Sequence, residues 1–284
     1  MKTNTLTQGA LCLSLYGVLL LFNQQTGLLI ESMMNWVFIL PILIYSAKAG
    51  PYPGGITAFS MAILSFLFGT FTTWFYSWSA ILIGFVYGAG LYKKIRYSMN
   101  FVISFGITFI SYVLMIYLWA GIFGMDLSVD FAWISEIVPF LDFQAFCFLF
   151  AFFISFVQTL CIHMLAILLC ARLKIPMREL GSLKTLHGSK SVGIISLVIV
   201  VFFFFGQNVV EYSIWSSVIQ ILFFIDLGVL DFLGTLYLME YEITHRIPKF
   251  TILAVLGAFI PILNFFWMLL GLCDCLLELR KDKI

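Results

Sequence analysis

Three carboxylates, Asp226, Asp231 and Asp274, lie inside or beside long apolar runs. A charge there is costly, so each implies either a structural partner or a function. Carboxylates on neighbouring membrane spans can share one proton and work as an acid and base pair. The simpler expectation is structural pairing, with Arg280 or His245 as partners; a proton or cation relay is the functional one. Gln158 and His163 also fall in an apolar run, where the expected role is that of a hydrogen-bonded core residue. His187 and His245 lie in loops, so a multi-histidine metal site is not expected. The six cysteines, Cys12, Cys147, Cys161, Cys170, Cys273 and Cys275, include no C-x-x-C pair. That spacing argues against a zinc site or a disulfide framework and suits small apolar helix residues. The expectation is therefore no metal, no cofactor and no catalytic residue.

A second constellation is aromatic. Trp36, Trp74, Tyr76, Trp78, Trp119 and Trp133 are all expected near one boundary of the apolar runs. Rings at that depth anchor helices at the membrane interface. Flat apolar walls with a few polar groups also make a small-molecule site. The candidate ligand-binding set is Asn35, Trp36, Trp74, Trp78, Trp119, Asp126 and Gln144, with Asp130 nearby. Acidic members would suit a cationic ligand. The loop Asn23–Ser32 is placed to close over such a site.

Small residues form the third constellation. Ala10 and Ser14 are four apart, and Gly17 lies three further on. Small side chains at this spacing let a second helix approach closely. The neighbour is either another helix of this chain or a partner subunit, and Ala10, Ser14 and Gly17 are the candidate docking residues. Gly84-x-x-x-Gly88, with Gly90, is read as internal packing. Gly188-Ser189-Lys190-Ser191 does not make a phosphate loop: six residues separate Gly181 from Gly188, Ser precedes the Lys, and no strand leads in.

These residues must be positioned by helices in lipid. The 284 residues are 62% apolar and only 10% charged, against about 25% charged in soluble domains. A net charge of +1, with no basic stripe beyond the loops, argues against a nucleic-acid partner. A helix needs roughly 20 apolar residues to cross the hydrocarbon core. The runs are Leu6–Phe22, Met33–Ala47 with a kink at Pro41, Ile56–Phe71, Ala80–Tyr92, Phe101–Phe123 and Phe143–Leu173. They continue with Val192–Phe205, Ile214–Tyr241 and Phe250–Leu279. The last is too short for two crossings and is either one span or a re-entrant segment broken at Pro261. The expected fold is an all-α polytopic membrane protein of about eight to nine transmembrane helices. Ala49–Gly55, with two prolines and three glycines, is expected to break the chain. No small-x-small cleavage site follows the first run, so it is expected to stay as a span.

Basic residues set the orientation. Of the 15 Lys and Arg, the first ten occupy the N-terminus and alternate gaps: Lys2; Lys48; Lys93, Lys94 and Arg96; then Arg172, Lys174, Arg178, Lys184 and Lys190. Cytoplasmic loops retain Lys and Arg, so the N-terminus is expected inside a cell membrane. The domain expectation is a six-helix core over 1–173, a basic cytoplasmic loop over 174–190 and a helical extension over 191–284.

Six spans, an inside N-terminus and the Ala10 and Ser14 face resemble the S component, the substrate-binding subunit, of an energy-coupling-factor (ECF) transporter. In that family similar alanines dock on a transmembrane coupling subunit. The ending Gly271-Leu272-Cys273-Asp274-Cys275-Leu276-Leu277-Glu278-Leu279-Arg280-Lys281, with Pro248-Lys249 before it, is similar to that of YybS-like membrane proteins. Those belong to the S-component-like superfamily and carry extra helices after the six. This chain departs at Ser14, where the family has a second alanine, and at Cys275–Leu277, where an aromatic often follows the Asp. The resemblance implies binding or uptake of a vitamin- or metabolite-like molecule, with separate coupling and ATPase subunits as partners. A non-transporting interaction or regulatory protein, its basic loop binding a partner or anionic lipid, is the alternative. An intramembrane aspartyl enzyme is a third; Gly271–Asp274 only approximates its Gly-x-Gly-Asp motif, and Ile225-Asp226 misses its Tyr-Asp.

Overall fold

The computed structural model describes residues 3–123, 129, 141–176, 178, 188–206, 214–245, 257, 258 and 260–279. Among these it is helical, with helices α1 (Thr3–Gln25), α2 (Leu29–Met33), α3 (Leu40–Ala49), α4 (Pro51–Phe68), α5 (Phe71–Tyr92) and α6 (Tyr97–Phe123). After these come α7 (Phe143–Arg172), α8 (Lys190–Gly206), α9 (Ile214–His245) and α10 (Pro261–Leu277). Six are long and apolar enough to cross a membrane: α1, α4, α5, α6, α7 and α9. Three apolar helical stretches, Asn35–Ala49, Lys190–Phe205 and Leu263–Leu277, are shorter. In lipid every backbone polar group must be satisfied internally, and continuous helices do that. The exposed surface is correspondingly apolar, with Phe59, Phe66, Val102, Phe202 and Phe205 each more than half exposed.

The contacts divide the chain into two units, Met1–Met125 with Ala151–Leu180, and Asp126–Phe150 with Gly181–Ile284. In unit 1 the core is built from Tyr16 and Leu20 of α1, Ile42 and Leu43 of α3, Met61 of α4, Ile83 and Tyr87 of α5, and Ile162 of α7. Glycines set how closely these helices approach. A Cβ on Gly84 would lie 2.6 Å from the Ile39 carbonyl oxygen, and one on Gly88 would strike the Leu43 carbonyl. The pair thus seats α5 on α3, as its four-residue spacing predicts.

Two local readings change. The segment Ala49–Gly55 breaks at Gly50 alone, whose φ of 93° belongs to glycine. Pro51 and Pro53 instead open α4, because a first-turn proline lacks only an N–H that has no helical partner. Pro41 does not kink a long helix. It opens α3, after a 3-10 turn over Asn35–Ile39, and its carbonyl accepts from the Cys12 thiol at 3.0 Å.

Helices α5 and α7 end in the same way. The Lys94 N–H donates to the Leu91 carbonyl and that of Ile95 to Gly90; Lys174 and Ile175 repeat the pattern onto Ala171 and Cys170. Each is a Schellman cap whose left-handed position, normally glycine, holds a lysine with φ 53°.

Unit 2 packs α8, α9 and α10 together. Gly234 and Gly271 leave no room for a Cβ, which would collide with the carbonyls of Trp267 and Leu230 respectively. Phe203 of α8 stacks on Phe223 of α9 at 3.8 Å between centroids.

Candidate functional site

A polar cluster of unit 1 sits where α1 ends, α2 begins and α5 starts. Thr70 caps α5 by accepting from the Thr73 N–H at 3.2 Å, which orients the first turn of that helix. Thr73 then donates through its hydroxyl to Glu31 Oε2 at 2.7 Å. Asn23, fully buried in the last turns of α1, donates to the same oxygen at 3.3 Å. Its own Oδ1 accepts from the Glu31 backbone N–H at 3.0 Å. Gln24 adds a hydrogen bond to the Phe68 carbonyl at the end of α4. The connection from α1 to α2 is therefore tied down by side chains from three helices.

Aromatic rings stand beside this cluster. Trp74 lies 5.7 Å from Phe66, 5.9 Å from Phe71 and 5.6 Å from Trp78, centroid to centroid. Trp78 is more than half exposed and Trp36 is half-buried against the core. Asn35 opens the 3-10 turn, and its buried Oδ1 has no hydrogen-bond partner among the described residues. A buried carbonyl in that state favours an added donor, since an unmade hydrogen bond is costly.

The remaining candidates fall elsewhere. Gln144 is exposed in the first turn of α7, in the stretch belonging to unit 2. Asp126, Asp130, Trp133 and the side chain of Trp119 lie outside the described residues. On α1, Ala10 and Ser14 are exposed, whereas Gly17 faces Leu64 of α4. Ala10 borders a groove of about 180 Å³, with Leu6, Tyr45, Ile56 and Ser60. That is below the roughly 300 Å³ at which small-molecule pockets begin.

His163 shares a 2.5 Å hydrogen bond with the Tyr87 hydroxyl and is ringed by Tyr97 and Phe101. Gln158 accepts from the Tyr112 hydroxyl. Both are satisfied within the helix packing. Asp226 accepts from Ser196 at 2.6 Å across α8 and α9. Further along α9, Asp231 and Thr235, four residues apart, each carry a buried oxygen with no hydrogen bond among the described residues. Among the described residues no group of three or more His, Cys, Asp or Glu side chains could hold a metal.

Glu31, Asn23 and Thr73 were not singled out by their spacing. One signal was available: Glu31 is the only acidic residue in the first 125 positions. A lone carboxylate among apolar runs marks a place the fold must satisfy.

The apolar helices define the class, a polytopic helical membrane protein. Compared with protein-family models, curated proteins and solved structures, the chain matches none.

Proposed function

We propose that this protein binds a small polar molecule at the Glu31, Asn35 and Trp74 end of unit 1 and serves as the substrate-binding part of an uptake system. The observation that carries the reading is the joint presence there of a buried carboxylate, an Asn35 carbonyl with no donor among the described residues, and a tryptophan cluster. The site lies at the opposite end of α5 from Lys93 and Lys94, which the positive-inside bias assigns to the cytoplasm. The ligand then enters from outside, with the N-terminus inside and the shorter apolar helices completing eight or nine membrane elements. The resemblance to S components supports the same reading, and the exposed Ala10 and Ser14 are available to a coupling subunit.

Thermal unfolding of the purified full-length protein against a panel of vitamins and small metabolites tests it, because a ligand bound to the folded state raises the midpoint by mass action. A compound that stabilises the wild type should lose that effect in Asn35→Ala. A panel without any stabilising compound, or a gain that survives Asn35→Ala, contradicts the assignment. For the partner, Ala10→Leu with Ser14→Leu should abolish co-purification with a coupling subunit.

A further inference from the structure

The basic end of unit 1 carries more than a topology signal. A positive-inside bias needs lysines on one side of the membrane and places no demand on their backbone conformation. Yet two of them, Lys94 and Lys174, occupy the left-handed position of a Schellman cap, each with φ 53°. Glycine is the usual residue there because a Cβ in that conformation is strained. A lysine one position earlier or later would serve topology equally well.

The two caps belong to one surface. Tyr97, just beyond the first cap, packs against the core cluster that contains Ile175 of the second. Its hydroxyl donates to the Arg178 carbonyl at 2.7 Å. The end of α3 joins them: a Cβ on Gly50 would lie 3.0 Å from the ring of Tyr92. Lys48, Lys93, Arg96 and Arg172 are exposed around the two caps. Tyr92, half exposed, is the interfacial aromatic of this surface. Each cap lysine is exposed and sits at the end of a helix whose last carbonyls carry partial negative charge, so its ammonium group is favoured there. Clusters of this size beside membrane helices attract anionic headgroups.

We propose that Lys94 and Lys174 form the centre of a headgroup site for an anionic phospholipid, with Lys48, Lys93, Arg96 and Arg172 as its rim. The phosphate is the recognised group, and the acyl chains lie against the apolar helix surfaces. The site does not depend on the ligand reading above, since it occupies the other end of unit 1.

The test is thermal unfolding of the full-length protein in neutral detergent, titrated separately with phosphatidylglycerol, phosphatidylcholine and inorganic phosphate. Phosphatidylglycerol should raise the wild-type midpoint, and the other two should not. Lys94→Gly with Lys174→Gly relieves backbone strain, so its midpoint without lipid should rise by about 2–4 °C per site. The same double variant should lose most of the gain from phosphatidylglycerol. Lys94→Gln with Lys174→Gln keeps the strain and removes the charges, so it should lose the gain without the rise. Lys48→Gln with Arg96→Gln removes as many charges from the rim and should lose less. Equal loss in the rim and cap variants, or full retention in the glycine variant, would overturn the proposal. So would an equal gain from phosphatidylcholine, which marks generic lipid solvation, or from inorganic phosphate, which marks a soluble anion as the ligand.

Discussion

Glu31 accepts from Asn23 and Thr73 at once, so its removal leaves the buried Asn23 amide without this acceptor and the Thr73 hydroxyl with Thr70 alone. Orphaned buried groups cost about 1–3 kcal/mol. Glu31→Ala should therefore lower the thermal midpoint clearly, whereas Glu31→Gln, which keeps a carbonyl acceptor, should lower it less. Equal losses in the two would show that the contacts of Glu31 Oε2 do not hold the α1–α2 connection. At this scale the sequence is partly legible. The role of His163 follows from its apolar setting, which forces a hydrogen bond, and Tyr87 supplies it. Glu31 is harder, because its partners come from residues 8 and 42 positions away, and no local spacing encodes such a contact.

Glycine positions govern the helix pairs. Gly84→Ala would press a methyl group on the Ile39 carbonyl and Ile42, so α3 and α5 must separate. Overpacking of this kind costs about 1–3 kcal/mol. Gly234→Ala and Gly271→Ala meet backbone on the opposing helix, which has no rotamer to yield, and should cost at least as much. Among the described residues nothing lies within 4 Å of a Cβ on Gly106. There alanine should raise stability by up to about 1 kcal/mol through helix propensity. Unfolding midpoints of the four single variants check the ordering, and a destabilised Gly106→Ala would break it. The Gly84 and Gly88 contact is readable because a four-residue repeat lies on one helix. Gly234 and Gly271 are 37 positions apart on different helices, so neither is recognisable alone. The misread stretch is Ala49–Gly55, where two prolines look like a break and instead start a helix.

At the scale of the whole chain, hydropathy carries the fold class, since apolar length alone separates the six long helices from the rest. It does not fix the count of crossings, because the three shorter stretches are of a length that suits several roles. Asn35–Ala49 spans about 25 Å, at about 2.0 Å per residue over its 3-10 turn and 1.5 Å over the rest, less than the roughly 30 Å hydrocarbon core. The ends of unit 1 differ in chemistry. Glu31, Asn35 and Trp74 stand at one, and the lysine caps of α5 and α7 at the other. With this polarity, the proposed ligand meets the carboxylate and aromatic end from outside the cell.

The most direct test is epitope accessibility in intact cells, with one tag inserted at Gly27 and another between Lys93 and Lys94. Antibody should reach the Gly27 tag without permeabilisation and the Lys93 tag only after it. Labelling of the Lys93 tag in intact cells, with the Gly27 tag silent, would invert the molecule and contradict the claim.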